Sequence, residues 1–181
     1  MNKLFQFLCV FLFIQAASTS AISAQAQDQV PSKPWQQLQL VGEAELKFFF
    51  WHVYEARLYS NNGNFVFSET RPFALELHYK RKFSVQQLVD ETRKQWKAIG
   101  IDADSKDNAT RLNTLGSLLG DVDNGDIITF YVDAQGASNF YLNERLLGTI
   151  ADSAFTEQFA AIWLSEKTTR PDFRDNLIRQ S

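Results

Sequence analysis

The sequence predicts an α+β domain: a long, mostly antiparallel sheet with helices packed on one face. Three observations carry this expectation. Segments that alternate apolar and polar residues lie on both sides of a helical stretch. The later strands are separated by turn signals short enough for hairpins, which only antiparallel neighbours permit. The order is strands, two helices, strands, helix, which matches a sheet with its helices gathered on one side.

The chain opens with Met1-Asn2-Lys3, an apolar run from Leu4 to Ile14, and a small-residue stretch ending Ala24-Gln25-Ala26. A basic start, a short apolar run and an A-x-A site predict a cleavable secretory signal over residues 1–26. The run is too short to span a bilayer, which takes about 20 residues. The expected location is therefore periplasmic or secreted, with no stable membrane span after cleavage. Residues 27–39 read as a flexible lead-in, since Pro31 and Pro34 disfavour regular structure. The domain itself is expected over residues 40–181.

Gly42 to Tyr59 is the first strong block. Read as one strand, perhaps bulged or split, it puts Leu46, Phe48, Phe50, His52, Tyr54, Ala56 and Leu58 on one face. Asn61-Asn62-Gly63 signals a turn, and Asn64 to Phe67 is a candidate short returning strand. Phe73 to Lys82 alternates again, with Leu75, Leu77, Tyr79 and Arg81 sharing a face. Then the period changes: Ser84-Val85-Gln86-Gln87 is a capping box, followed by Val85, Leu88, Val89, Thr92 and Trp96 at helical spacing. Gly100 is the expected stop. A second helix is expected from Asp107 to Leu119. Ile127 to Val132, Asn139 to Leu142 and Arg145 to Ile150 read as three strands joined by tight turns. Asp152 caps a third helix, and a short last helix follows in the region of Pro171.

Composition narrows the function. The whole chain carries 18 basic and 21 acidic side chains, net −3, with no long basic run, so a nucleic-acid surface is not expected. Cys9 is the one cysteine and lies inside the expected signal, which leaves no disulfide and no cysteine metal site in the processed chain. With sixteen Phe and four Trp, the chain holds either a large aromatic core or a core plus an apolar pocket. No P-loop, dinucleotide-binding, G-x-S-x-G or H-E-x-x-H motif occurs. No cofactor is expected. The two histidines, His52 and His78, lie on different expected strands, so no histidine metal site is expected. Asp121, Asp123 and Asp126 suggest a calcium loop, but its sixth and twelfth positions would be Asp126 and Val132, so the pattern fails.

Four residues are the candidate ligand-binding set: His52, Tyr54, Tyr79 and Arg81. His52 is either a polar handle in a pocket or a histidine satisfied by backbone, and a bulge in its strand would flip its side. Arg81 ends the apolar face Leu75-Leu77-Tyr79. It could hold a carboxylate with Tyr79 as hydroxyl partner, or snorkel within the Lys80-Arg81-Lys82 cluster.

Four segments together resemble the bacterial branch of the chalcone isomerase-like proteins. They are Phe50 to Tyr59, Ala74 to Arg81, Asp123 to Asp126 with the strand that follows, and Asn143 to Ile150 continuing to Ile162-Trp163-Leu164. The resemblance covers roughly residues 40 to 180. It implies an open-faced β-sandwich whose cleft, between sheet and helices, holds a flavonoid or a fatty acid in related members. The plant enzymes of that family close a chalcone ring with an arginine, a threonine and further hydroxyl and amide groups. On alignment through Val53-Tyr54, the threonine position falls on Phe49 and the arginine position near Gln37, with no arginine between residues 27 and 56. The helix from Ser84 shows no clear Tyr and Asn counterpart. The groups that would stabilise the phenolate are thus unmatched, and no catalytic residues are assigned. Three readings follow: a non-catalytic exported protein binding a small apolar or fatty-acid-like ligand; an isomerase or lyase using Tyr54 or His52 as acid or base; or an interaction module with a filled cleft.

Overall fold

The structure, a computed structural model, describes residues 33–179. The expected signal and most of the lead-in lie outside the described residues. A 3₁₀ turn (Pro34–Gln37) is followed by β1 (Gln39–Phe48), β2 (Trp51–Ser60) and β3 (Phe73–Tyr79). Then come α1 (Val85–Ala98), α2 (Lys106–Leu118), β4 (Ile127–Val132), β5 (Ser138–Leu142), β6 (Arg145–Ile150), α3 (Ser153–Leu164) and α4 (Pro171–Ile178). The strands form one six-stranded sheet in sequential order, and every adjacent pair is antiparallel. This is the α+β architecture expected.

The block read as one strand, perhaps bulged or split, is split into two strands. Phe48 pairs with Trp51, so Phe49 and Phe50 form a two-residue hairpin turn. Phe49 sits at φ 53°, a region favoured by Asn and Gly rather than by bulky residues. A Phe-Phe turn carries none of the usual hairpin chemistry, so sequence pattern could not mark it. The expected returning strand at 64–67 is also absent. Residues 64–66 are irregular backbone leading into a turn at 67–69, pinned where the Val66 amide donates to the Thr70 hydroxyl at 2.8 Å. It still delivers Phe65 to the core, edge-on to Phe73. The lead-in becomes regular earlier than expected. Pro34 opens the 3₁₀ turn, where its missing N–H costs nothing, and Trp35 is buried against the sheet.

Local chemistry sets the helix ends. The Gln87 amide donates to Ser84 Oγ, and the Ser84 amide donates to Gln87 Oε1, so the capping box is complete. Ile99 caps the other end, and Gly100 turns the chain away at φ 87°. Asp152 caps α3 by accepting from the Phe155 amide at 3.0 Å. The same carboxylate accepts from the Arg111 Nε of α2 at 2.8 Å, fastening the two helices together.

The sheet has two unlike faces. The helix side holds a core of Leu58, Leu75, Phe73, Phe130, Phe140, Phe155, Trp96 and Leu164. On the open side, Glu76 accepts from Trp35 Nε1 at 2.8 Å and from the Tyr59 hydroxyl at 3.1 Å, with His78 Nε2 at 3.3 Å. Burial pushes the Glu76 carboxyl up, but the bonds from His78, Trp35 and Tyr59 outweigh it and leave the group below its usual value. Two aspartates of the suspected calcium loop bond within the fold, and the Asp123 carboxylate makes a surface pair with Lys82. Asp121 accepts from the Val85 amide, and Asp126 from the Asp123 amide and the Asn143 side chain.

Candidate functional site

Between the sheet and the helices, at the end where β2 and β3 run toward the Phe49-Phe50 turn, lies a cleft of about 650 Å³. Its floor is Leu46, Val53, Tyr54, Leu75, Leu77 and Tyr79, with Ile128 and Phe130 behind. Its roof comes from α1 (Leu88, Thr92), α3 (Phe159, Ile162, Trp163) and Phe173 of α4. The mouth is polar, with Arg81, Gln87, Glu91, Lys94 and Arg170 around it. The volume falls inside the roughly 300–1,000 Å³ typical of small-molecule sites, and the apolar wall with a few polar groups is the usual composition of one.

A bulge shapes the floor. Leu46 pairs with Tyr54 but Lys47 pairs with His52, so Val53 is an extra residue on β2. After the bulge, Tyr54 faces the helices. Before it the alternation is reversed, and Trp51 borders the cleft while His52 does not. His52 is exposed and forms no part of the cleft wall. Simple alternation placed it beside Tyr54; the one extra residue moves it to the other face.

The other three candidates are brought together. Tyr54 and Tyr79 pair across β2 and β3, with ring centroids 5.7 Å apart in an edge-to-face arrangement. Trp163 Nε1 donates to the Tyr54 hydroxyl at 2.8 Å, so floor and roof share a hydrogen bond. The Phe173 ring stands edge-on to Tyr54 at 6.1 Å, and the Phe83 ring flanks Tyr79 at 5.8 Å. Arg81 lies at the mouth with its guanidinium 4.3 Å from the centre of the Trp51 ring. The flat interior strand thus continues, as a lip, into a cation–aromatic pair.

Burial pushes the Tyr54 phenol up to about 12, against the pull of the Trp163 N–H. Burial, and then the proximity of Tyr54, pushes Tyr79 up as well. Both rings stay neutral at physiological pH, and neither is poised as a base. The two positions on which the plant catalytic groups would fall lie elsewhere. Phe49 is at the hairpin tip and Gln37 ends the 3₁₀ turn. Neither lines the cleft.

Sequence reasoning missed the roof. Trp163 is half-buried at the cleft, whereas Leu112 and Leu115 of α2 are fully buried. The usable signal was the indole N–H, which needs a partner when it leaves water.

The sequence matches the chalcone isomerase-like family over residues 18–178. The chain belongs to the chalcone isomerase-like family. One relative is an uncharacterised protein of Haemophilus influenzae, 25% identical over 145 residues, which covers 80% of this chain and 70% of that protein. Among solved structures, a fatty-acid binding protein of Arabidopsis thaliana superposes with a TM-score of 0.61 at 9% identity. The match covers 79% of this chain and 87% of that one. At that identity the likeness shows the shared chalcone isomerase-like fold, and the open-faced arrangement of sheet and helices is part of it.

Proposed function

We propose that this chain is a non-catalytic binding protein that holds a small apolar or fatty-acid-like ligand in the cleft between sheet and helices. The carrying observation is the cleft itself: about 650 Å³ of space walled by aliphatic and aromatic side chains, with two neutral phenols inside and Arg81 at the mouth. An alkyl chain would lie on Leu75, Leu77 and Phe130, and its carboxylate would meet the guanidinium at the lip. That the plant protein sharing the fold is a fatty-acid binding protein supports this reading. The open cleft counts against an interaction module with a filled core. The neutral phenol counts against Tyr54 as a base, and the position of His52 outside the cleft wall counts against an acid–base role for it.

Native mass spectrometry of protein isolated from its host, together with thermal shift against saturated fatty acids, tests the proposal. The expected result is a retained apolar ligand and a raised Tm. A chain that is always empty and unmoved by fatty acids refutes it. Accelerated loss of naringenin chalcone absorbance over the spontaneous background would favour an isomerase instead.

The reading includes export to the periplasm or beyond, supported by the basic start, apolar run and A-x-A site of residues 1–26. Recovery from the periplasmic fraction with Gln27 as the first residue is the expected outcome. An intact Met1 in the cytosolic fraction would refute it. Among the described residues, no helix is long and apolar enough to cross a membrane.

A further inference from the structure

The turn between β1 and β2 is unusual in what it exposes. Phe49 is 81% exposed, Phe50 96% and Trp51 58%, three consecutive large rings at the tip of a hairpin. The other exposed large hydrophobics among the described residues, Leu40, Val66 and Leu146, are scattered singly. Isolated apolar residues on a surface need no explanation; a contiguous aromatic tip does. Charge surrounds it. Segments 47–53 and 79–83 hold Lys47, Lys80, Arg81 and Lys82 and not one carboxylate, in a chain of net charge −3. Lys47, Lys80 and Lys82 make surface pairs with Glu45, Glu55 and Asp123, which solvent keeps weak and exchangeable. Arg81 makes no ion pair among the described residues and stacks on Trp51.

We propose that the Phe49-Phe50-Trp51 tip is a docking surface for an anionic lipid bilayer, which it enters at the headgroup level with the cations of Lys47 and Lys80–Lys82 against the lipid phosphates. The chemistry fits on both counts. Aromatic rings favour the membrane interface, and each nearby Lys or Arg adds attraction to an anionic leaflet. The position fits as well: Trp51 and Arg81 are both tip and cleft lip, so docking turns the mouth toward the lipid. The surface goes beyond the ligand-binding reading, and it serves an apolar ligand without a transit through water.

Tryptophan quenching tests this in the full chain. Residues 1–31 contain no tryptophan, Trp35 and Trp96 are buried, and Trp163 lies inside the cleft, so bromine atoms in a bilayer report on Trp51. Vesicles of brominated phosphatidylglycerol are expected to quench emission, and W51F to abolish that quenching. F49N/F50S, whose Asn suits the positive φ of the turn, is expected to lose most of the quenching while keeping its thermal shift with fatty acids. Lys80→Gln with Lys82→Gln is expected to weaken vesicle partition roughly fivefold per cation. Equal quenching by neutral brominated phosphatidylcholine, unchanged quenching in F49N/F50S, or no quenching by either vesicle overturns the proposal. So does a dimer that F49N/F50S dissolves in a chain that no vesicle quenches. Quenching without a fatty-acid shift would refute the ligand reading and leave the docking surface standing.

Discussion

The helix-covered face of the sheet is solid at one end and hollow at the other, although both ends are built from aromatic residues. At the solid end, Phe155 stacks on Phe159 at 5.4 Å, Phe140 packs against both, and Trp96 closes the group by donating its N–H to the Gln158 carbonyl; Phe140 and Phe159 also border the cleft. At the hollow end, Tyr54, Tyr79, Trp163 and Phe173 stand around a space instead of filling it. Ring chemistry alone does not separate the two ends, since Trp96 at the solid end carries an N–H and Phe173 at the hollow end is a plain phenyl ring. At the solid end the rings stack on one another and the Trp96 N–H bonds to backbone. At the hollow end one bond, from Trp163 Nε1 to the Tyr54 hydroxyl, ties floor to roof, and the space beside it stays open. A count of aromatic residues therefore cannot distinguish a core from a pocket.

This contrast can be broken at graded cost. Phe155→Ala should cost the most, roughly 3–5 kcal/mol, because the solid end cannot collapse into the space left; chemical denaturation measures it. Gly42→Ala should cost about 3 kcal/mol. A Cβ at Gly42 would lie 2.3 Å from the Asn176 carbonyl oxygen, so α4 would have to lift off β1. A normal Tm for this variant would show that the roof is not held there. Tyr54→Phe should cost about 1–2 kcal/mol by stranding the Trp163 N–H, with a red shift in tryptophan emission as water replaces the phenol. Tyr79→Phe should stay within about 0.5 kcal/mol of the parent in stability while weakening fatty-acid binding about tenfold; calorimetry separates the two.

The smallest effect concerns the open face. Glu76 has a folded-state value below its ordinary 4.5. The stability it contributes is therefore complete above pH 4.5 and is lost as the pH falls through the lower folded value. Glu76→Gln should lower stability at neutral pH and so flatten the acid limb of a stability–pH curve, leaving the region below the folded value little changed. A limb as steep as the parent's would place the acid sensitivity in other carboxylates, such as Asp152 beside Arg111.

Much of this was legible in the sequence, for reasons that also explain the misses. β4 and β6 were read at their observed ends because β-branched and aromatic runs meet tight polar turns there. Tyr79 and Arg81 were placed on the cleft face by plain alternation, which β3 obeys without interruption. His52 was misplaced because one bulged residue, Val53, reverses alternation beyond it, and a bulge in a run of large side chains leaves no compositional mark. The hairpin at Phe49-Phe50 was hidden for the same reason. The roof depended on helices meeting strands more than a hundred residues away in sequence, as Trp163 meets Tyr54, and no local period encodes that.

The sheet joins only neighbours in sequence, whereas α4 crosses back to lie against β1 at Gly42. Each strand can therefore add to the one before it as the chain grows, with a short connection at every step except β3 to β4, where α1 and α2 intervene. The binding chamber has a different schedule. Its roof waits for a helix that follows every strand in the chain, and Phe173 reaches Tyr54 only once that long loop has closed. A chain interrupted before α4 would hold the whole sheet and no finished chamber, so a ligand could reward only the molecule that had been made to the end of α4.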